Sequence, residues 1–103
     1  MKIIAKMVDL IDDELDGARE YAELAHKEKA EHPRLADKFI ELADAEMGHV
    51  RVLHTEITKL IEDVRQRDGE PPADMMAIYN YEHGKQIKHA ATIRQMIADY
   101  KNA

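Results

Sequence analysis

Apolar residues recur every three or four positions over three long stretches of the chain, the spacing that places them on one face of an α-helix. Polar residues fill the positions between them. The pattern therefore predicts three amphipathic helices. Their stripes run through Ile4, Met7, Ile11, Glu14, Ala18, Tyr21 and Ala25, then Leu35, Phe39, Leu42, Glu46, His49, Leu53, Leu60 and Val64, and then Met76, Tyr79, His83, Ala90, Ile93, Ile97 and Tyr100.

Two breaks separate these stretches. Pro33 suits the first turn of a new helix and disfavours helix in the residue before it. The cluster Asp68-Gly69-Glu70-Pro71-Pro72 favours a turn that no helix crosses easily. The sequence thus predicts one all-α domain over residues 1–103, with helices at about 3–30, 33–66 and 73–101.

The first two helices should pack as an antiparallel hairpin, because the connection between them is very short. If the chain folds back about residues 31–32, each residue of the first helix lies level with a residue of the second. The residue numbers of such a pair add up to about 63. Glu14 should then lie opposite His49, with Glu46 about one turn away.

Glu14, Glu46 and His49 are polar residues in otherwise apolar stripes. A carboxylate at such a position is costly unless it is paired or binds a metal. Glu46 and His49 are three residues apart, so an E-x-x-H motif directs both side chains to the same side of the helix. Two carboxylates and one imidazole suit iron, manganese or zinc. Without a metal, the same residues form a solvated polar face or a pair that fixes helix register.

Composition narrows the possible functions. The chain of 103 residues carries a net charge of −6 with scattered basic residues, which argues against nucleic-acid binding and is compatible with attracting cations. It has no cysteine, which excludes disulfides, thiolate zinc sites and cysteine nucleophiles. No apolar run resembles a signal peptide or a membrane span, so we expect a cytoplasmic protein without membrane partners.

The combination of Glu14, Tyr21 seven residues later, and Glu46-x-x-His49 resembles the first half of the ferritin-like superfamily, rubrerythrins most closely. The run Ala43-Asp44-Ala45-Glu46-Met47-Gly48-His49-Val50 is similar to that family's second-helix motif. The resemblance covers about residues 3–64 and implies half of a di-iron site. It implies Glu14 as a terminal ligand, Glu46 as a bridging carboxylate, His49 as a nitrogen ligand and Tyr21 hydrogen-bonded to a ligating carboxylate.

A complete ferritin-like site takes a Glu from each of two helices and an E-x-x-H from each of the other two. The third helix has no such motif, because Lys85 follows Glu82 and Gln86 follows His83 at the required spacing. The resemblance therefore implies a four-helix bundle completed by a homodimer or a higher even oligomer, as in encapsulated ferritins. The implied cofactor is two iron ions per dimer site, manganese or zinc being possible replacements.

The implied activity is oxidation of ferrous iron or reduction of peroxide, with dioxygen or peroxide as the oxidant. Without cysteine, the chain lacks the rubredoxin centre that supplies electrons in a complete rubrerythrin. The alternative is a metal-free helical interaction protein, in which Glu14 and His49 pair to specify dimer register. The sequence leaves the roles of Glu56, His83 and His89 open and favours a solvated face for Asp9, Asp12, Asp13 and Asp16.

Overall fold

The computed structural model describes residues 1–102, which form three α-helices and no strand. The helices are α1 (Lys2–Glu28), α2 (Pro33–Asp68) and α3 (Ala73–Asn102), so the predicted bounds hold within two residues. Together they make an elongated molecule of 56 × 20 × 18 Å. Within these residues no helix is both long and apolar enough to cross a membrane.

Both turns form where the sequence predicts them. Pro33 opens α2, and the His32 N–H donates to the carbonyl of Glu28 (2.7 Å), which closes the turn after α1. Gly69 ends α2 with φ of +86°, a conformation that other residues rarely adopt. Its N–H donates to the carbonyl of Arg65 (3.1 Å). The two turns therefore set three helices in up-down-up order.

The main core lies between α1 and α2. Five alanines on the facing surfaces are fully buried, and they allow the two backbones to approach closely. Larger buried residues lie along the two helices before and after these alanines. The buried residues are Ile4, Met7, Val8, Ile11, Leu15, Ala18, Ala22 and Ala25 on α1, and Ala36, Ile40, Ala43, Met47, Ile57 and Ile61 on α2.

Helix α3 runs parallel to α1 and packs mainly against it, with few contacts to α2. Gln86 is its one buried polar residue, and its Nε2 donates to the carbonyl of Val8 (3.0 Å) and to Asp12 Oδ1 (2.9 Å). At the far end, the Tyr100 hydroxyl donates to Asp37 (2.5 Å), and this bond raises the pKa of Tyr100 to about 12. Polar contacts therefore attach α3 at both ends of the hairpin.

The side of the hairpin away from α3 is uncovered. The residues of α1 that contact α3, such as Val8 and Asp12, lie on the opposite side of that helix from Leu10 and Tyr21. We call the uncovered surface the open face. Its apolar residues are Ile3, Leu10, Tyr21 and Leu24 on α1, and Leu35, Phe39, Leu42, Leu53 and Leu60 on α2, all half-buried or exposed.

The open face corrects the predicted core of α2. The stripe through Leu35 and Leu42 was expected to pack inside, but these side chains are each 45% exposed. Ala36 and Ala43, their neighbours in sequence, are buried in their place. The alanines occupy the interior positions because small side chains permit close approach of two long helices. The larger leucines therefore lie on the open face.

Helices α2 and α3 meet through a pair of histidines. The rings of His54 and His83 stack with centroids 4.4 Å apart, and Tyr79 lies parallel to the outer side of His83 at 5.6 Å. Partial burial lowers the pKa of His83 below its ordinary value of 6.5, and the neighbouring His54 lowers it further. The folded chain therefore disfavours protonation of His83.

We expect the free energy of unfolding to fall as the pH drops from 7.5 to 5. The unfolded chain takes up a proton at His83 near its ordinary pKa of 6.5, whereas the folded chain resists protonation until lower pH, so acid favours unfolding. Urea titrations of chelator-treated protein in phosphate-free buffer measure this dependence. His83→Phe retains a stacking ring without a proton site, so the loss between pH 6.5 and 5 should be smaller than in the parent. Equal losses in parent and variant would contradict this account.

Candidate metal centre

Glu14, Glu46 and His49 converge at the middle of the hairpin. His49 Nδ1 lies 3.3 Å from Glu14 Oε2 across the two helices and 3.8 Å from Glu46 Oε1 along α2. One ligand atom from each of the three residues lies within 4.8 Å of the others. The predicted register of the hairpin is therefore correct at this level, because Glu14 contacts His49 as expected.

The site lies on the open face and is partly sheltered. The Glu14 and Glu46 side chains are 29% and 25% exposed, while that of His49 is 58% exposed. Within residues 1–102, neither carboxylate forms an ion pair with a lysine or arginine. His49 is therefore the one potentially cationic side chain in contact with the two carboxylates.

Gly17 lies one turn beyond Glu14 and makes room for Glu46. A Cβ atom added at Gly17 would lie 3.5 Å from Glu46 Oε2, which is ordinary van der Waals contact. A longer side chain would extend across the carboxylate. The absence of a side chain at residue 17 thus leaves the Glu46 carboxylate accessible between the helices.

The geometry fits a shared cation. Two atoms that each lie about 2.1 Å from one octahedral ion are about 3.0 Å apart in adjacent positions and about 4.2 Å apart in opposite ones. The His49–Glu14 and His49–Glu46 separations of 3.3 and 3.8 Å fall in this range. Small side-chain rotations would bring the remaining pair within it. The oxygen and imidazole donors also suit iron, manganese or zinc.

Tyr21 lies on the open face two turns beyond Glu14. Its ring stacks on Phe39 with centroids 6.2 Å apart. Within residues 1–102 its hydroxyl makes no hydrogen bond. The expected hydrogen bond to a ligating carboxylate therefore stays a prediction for the paired, metal-bound protein.

The remaining candidate residues lie outside this group. Glu56 is exposed and pairs with Lys59 (3.4 Å), and His83 takes part in the α2–α3 contact described above. His89 on α3 has an enclosed Nε2 that makes no hydrogen bond within the described residues. Of the helix 1 aspartates, Asp9, Asp13 and Asp16 are exposed as expected, and Asp12 is half-buried and accepts from Gln86.

Three features were not predicted from the sequence. They are the stacking of His54 on His83, the burial of Gln86 and the space beside Glu46 that Gly17 leaves. The first two depend on which face α3 presents to the hairpin, and the α3 stripe does not specify this. Gly17 could have been recognised from its spacing, because it follows Glu14 by one helical turn on the same side.

Comparison of the chain with protein-family models, with curated protein sequences and with solved structures found no match. The function is therefore inferred from the residues and geometry described above.

We expect Gly17→Leu to abolish metal binding while the helices remain folded, because the new side chain would cover the Glu46 carboxylate. Iron content after anaerobic loading, measured beside the melting temperature of the metal-free protein, tests this. Gly17→Ala should retain metal and gain up to about 1 kcal/mol from its better helix propensity.

Gly84→Leu is the matched control for Gly17→Leu. Gly84 lies within α3, and a Cβ atom there would meet nothing within 4 Å. This variant should retain metal. Full metal content in Gly17→Leu would show that the ion does not bind beside Glu46.

Proposed function

We propose that this chain is half of a ferritin-like di-metal carboxylate protein whose site is completed when two copies pair through their open faces. The observation that carries the proposal is the convergence of Glu14, Glu46 and His49 on the uncovered side of the hairpin. Three donors from one chain leave an ion incompletely coordinated, and a second copy offers the same three.

Charge supports pairing around two ions. Each chain contributes two carboxylates that have no lysine or arginine partner within residues 1–102. Four carboxylates at a two-fold axis would repel one another strongly in the metal-free state. Two divalent cations carry four positive charges, which would balance the four carboxylates.

The open face supports the same partner. Leu35 and Leu42 are each 45% exposed, Ile3 is 50% exposed and Leu10 is 37% exposed. They lie on both sides of the metal residues along the helices. Burial of the exposed part of such a side chain contributes about 1 kcal/mol. An isologous dimer through this surface would cover each copy's stripe with the other's and form a four-helix bundle.

Glu14, Glu46 and His49 of each chain would hold the ions in this proposal. The resemblance implies that Glu14 and His49 would be terminal ligands and Glu46 a bridging carboxylate. Gly17 keeps the Glu46 carboxylate accessible, and Tyr21, two turns beyond Glu14, would orient a ligating carboxylate. The apolar residues of the paired open faces would exclude bulk water from the ions.

Iron held there would supply ferrous–ferric cycling, so the proposed activity is oxidation of ferrous iron or reduction of peroxide, with dioxygen or peroxide as the oxidant. The apolar side chains of the paired open faces would limit access to the ions. Because the chain has no cysteine, sustained reduction of peroxide would require an electron donor from another protein or a small molecule.

A metal-free interaction protein is the second candidate, and the contact between Glu14 and His49 is the observation that favours it. At 3.3 Å, with the imidazole 58% exposed, this contact is long for a hydrogen bond and contributes little to register. It also leaves Glu46 without a strong partner. The di-metal proposal gives all three residues a role.

We expect Glu46→Ala and His49→Ala each to lose bound iron without unfolding. Each variant removes a donor and also a polar group on an apolar face, so the metal-free melting temperature should stay the same or rise slightly. Elemental analysis beside thermal melting measures both quantities. Added iron should raise the melting temperature of the parent protein but not of the two variants, since an ion bound by the folded state stabilises it by mass action.

Glu56→Ala is the control for the loss of a carboxylate from the same helix, and it should retain iron. If the Glu46 and His49 variants bind as much iron as the parent, the ligands lie elsewhere and the di-metal proposal fails.

We also expect a dimer or a higher even oligomer that depends on the open face. Leu42→Glu places a charge in the proposed interface, one turn from Glu46, and should give monomers at micromolar concentration. Ile78→Glu is the matched control, because Ile78 is 67% exposed but lies on α3. Light scattering measures the mass. A parent protein that is monomeric with and without iron would contradict both the interface and the shared site.

A further inference from the structure

A cleft runs between α2 and α3 on the side of the hairpin away from the open face. The cleft exists because α3 packs mainly against α1 and makes few contacts with α2. The stacked rings of His54 and His83 close one end, and the ion pair between Asp44 and Lys101 (2.8 Å) lies at the other. Arg51 of α2 and Arg94 of α3 line the cleft between these ends.

Three of the six arginines pair with a nearby carboxylate, namely Arg19, Arg65 and Arg67. Arg34 lies exposed near the start of α2, outside the cleft. Within residues 1–102, the guanidinium groups of Arg51 and Arg94 form neither an ion pair nor a hydrogen bond. In a chain with 21 acidic and 15 basic residues, two cations lining the same cleft without a carboxylate partner leave a locally positive region.

The floor beside the arginines is apolar. A cavity of about 280 Å³ is lined by Ile11, Val50, Ile87 and Ala90 in addition to Gln86, Arg51, Arg94 and the two histidines. A second cavity, of about 410 Å³, continues past the same arginines towards Ile97 and Lys101. Concave, mostly apolar surfaces with a few convergent polar groups are typical of small-molecule sites.

We propose that this cleft binds a small organic anion with a phosphate group, its charged end between Arg51 and Arg94 and its apolar part on Val50, Ile87 and Ala90. Guanidinium groups match the geometry of phosphate oxygens and bind them with two parallel hydrogen bonds. His54 and His83 are placed at the end of the cavity, where each imidazole can donate one further hydrogen bond. This site is independent of the proposed metal centre, which lies on the opposite side of the hairpin.

Binding is measured by NMR titration of protein stripped of metal with a chelating resin, so that a bound ion cannot recruit phosphate. The probes are phenyl phosphate, inorganic phosphate and benzyl alcohol, at constant ionic strength. Phenyl phosphate should bind saturably below about 10 mM and perturb the amides of Ile87 and Ala90. Inorganic phosphate should bind more weakly because it lacks the apolar part, and benzyl alcohol should not saturate.

Arg51→Gln and Arg94→Gln should each weaken phenyl phosphate binding about tenfold, the effect of losing hydrogen bonds to a charged group. Lys88→Gln removes one charge from an exposed position of α3 outside the cleft, and it should change the affinity less than about twofold. Amide spectra of each variant confirm that the helices remain folded.

Three results would overturn the proposal. They are the absence of saturable binding by phenyl phosphate, an equal loss of affinity in Lys88→Gln and Arg94→Gln, and benzyl alcohol binding as tightly as phenyl phosphate. The first would leave the cleft without an anion site, the second would show non-specific attraction, and the third would show a purely apolar cavity.

Discussion

The close packing of α1 against α2 determines the positions of all other features. Alanines at the centre of the contact, such as Ala18 and Ala43, are fully buried and let the two helices approach along their length. The short turn before Pro33 fixes the register, so Glu14 meets His49 across the helices. A shift of one helical turn, about 5.4 Å, would separate the carboxylate from the imidazole.

This packing also leaves one side of the hairpin, the open face, without a helix packed against it. Helix α3 covers the opposite side, where Gln86 donates to the backbone of Val8 and to Asp12. The open face keeps half-exposed leucines and two carboxylates that lack a basic partner among the described residues. Either feature alone has an ordinary explanation, since single exposed leucines and surface carboxylates are common. Their coincidence around an E-x-x-H motif is what favours a second copy and a metal as the missing components.

The sequence was sufficient for the helices, the turns and the register, because periodicity, Pro33 and the Gly69–Pro72 cluster each have one strong structural interpretation. The rotation of α2 was predicted wrongly. Hydrophobicity ranks Leu35 and Leu42 above Ala36 and Ala43 for burial, whereas the approach of two long helices favours the smaller residues. The same error placed Glu46 among buried residues, whereas the structure leaves it half-buried at the edge of the α1–α2 contact.

The packing of α3 was beyond sequence reasoning for a different reason. Its polar residues Gln86 and His83 have their partners on α1 and α2, at separations that no local pattern encodes. The candidate metal residues, by contrast, were found from local patterns. Glu46 and His49 lie one helical turn apart, and the short connection between α1 and α2 places Glu14 opposite His49. Local spacing thus predicts the metal group, and only the three-dimensional structure reveals the α2–α3 cleft.

Native mass spectrometry of the iron-loaded protein shows whether two chains share one pair of metal ions. We expect a species of two chains with two iron ions, and loss of both ions together when Glu14 is changed to Ala. A single chain that holds one iron ion by itself, or a dimer that binds no iron under anaerobic loading, would contradict the shared site.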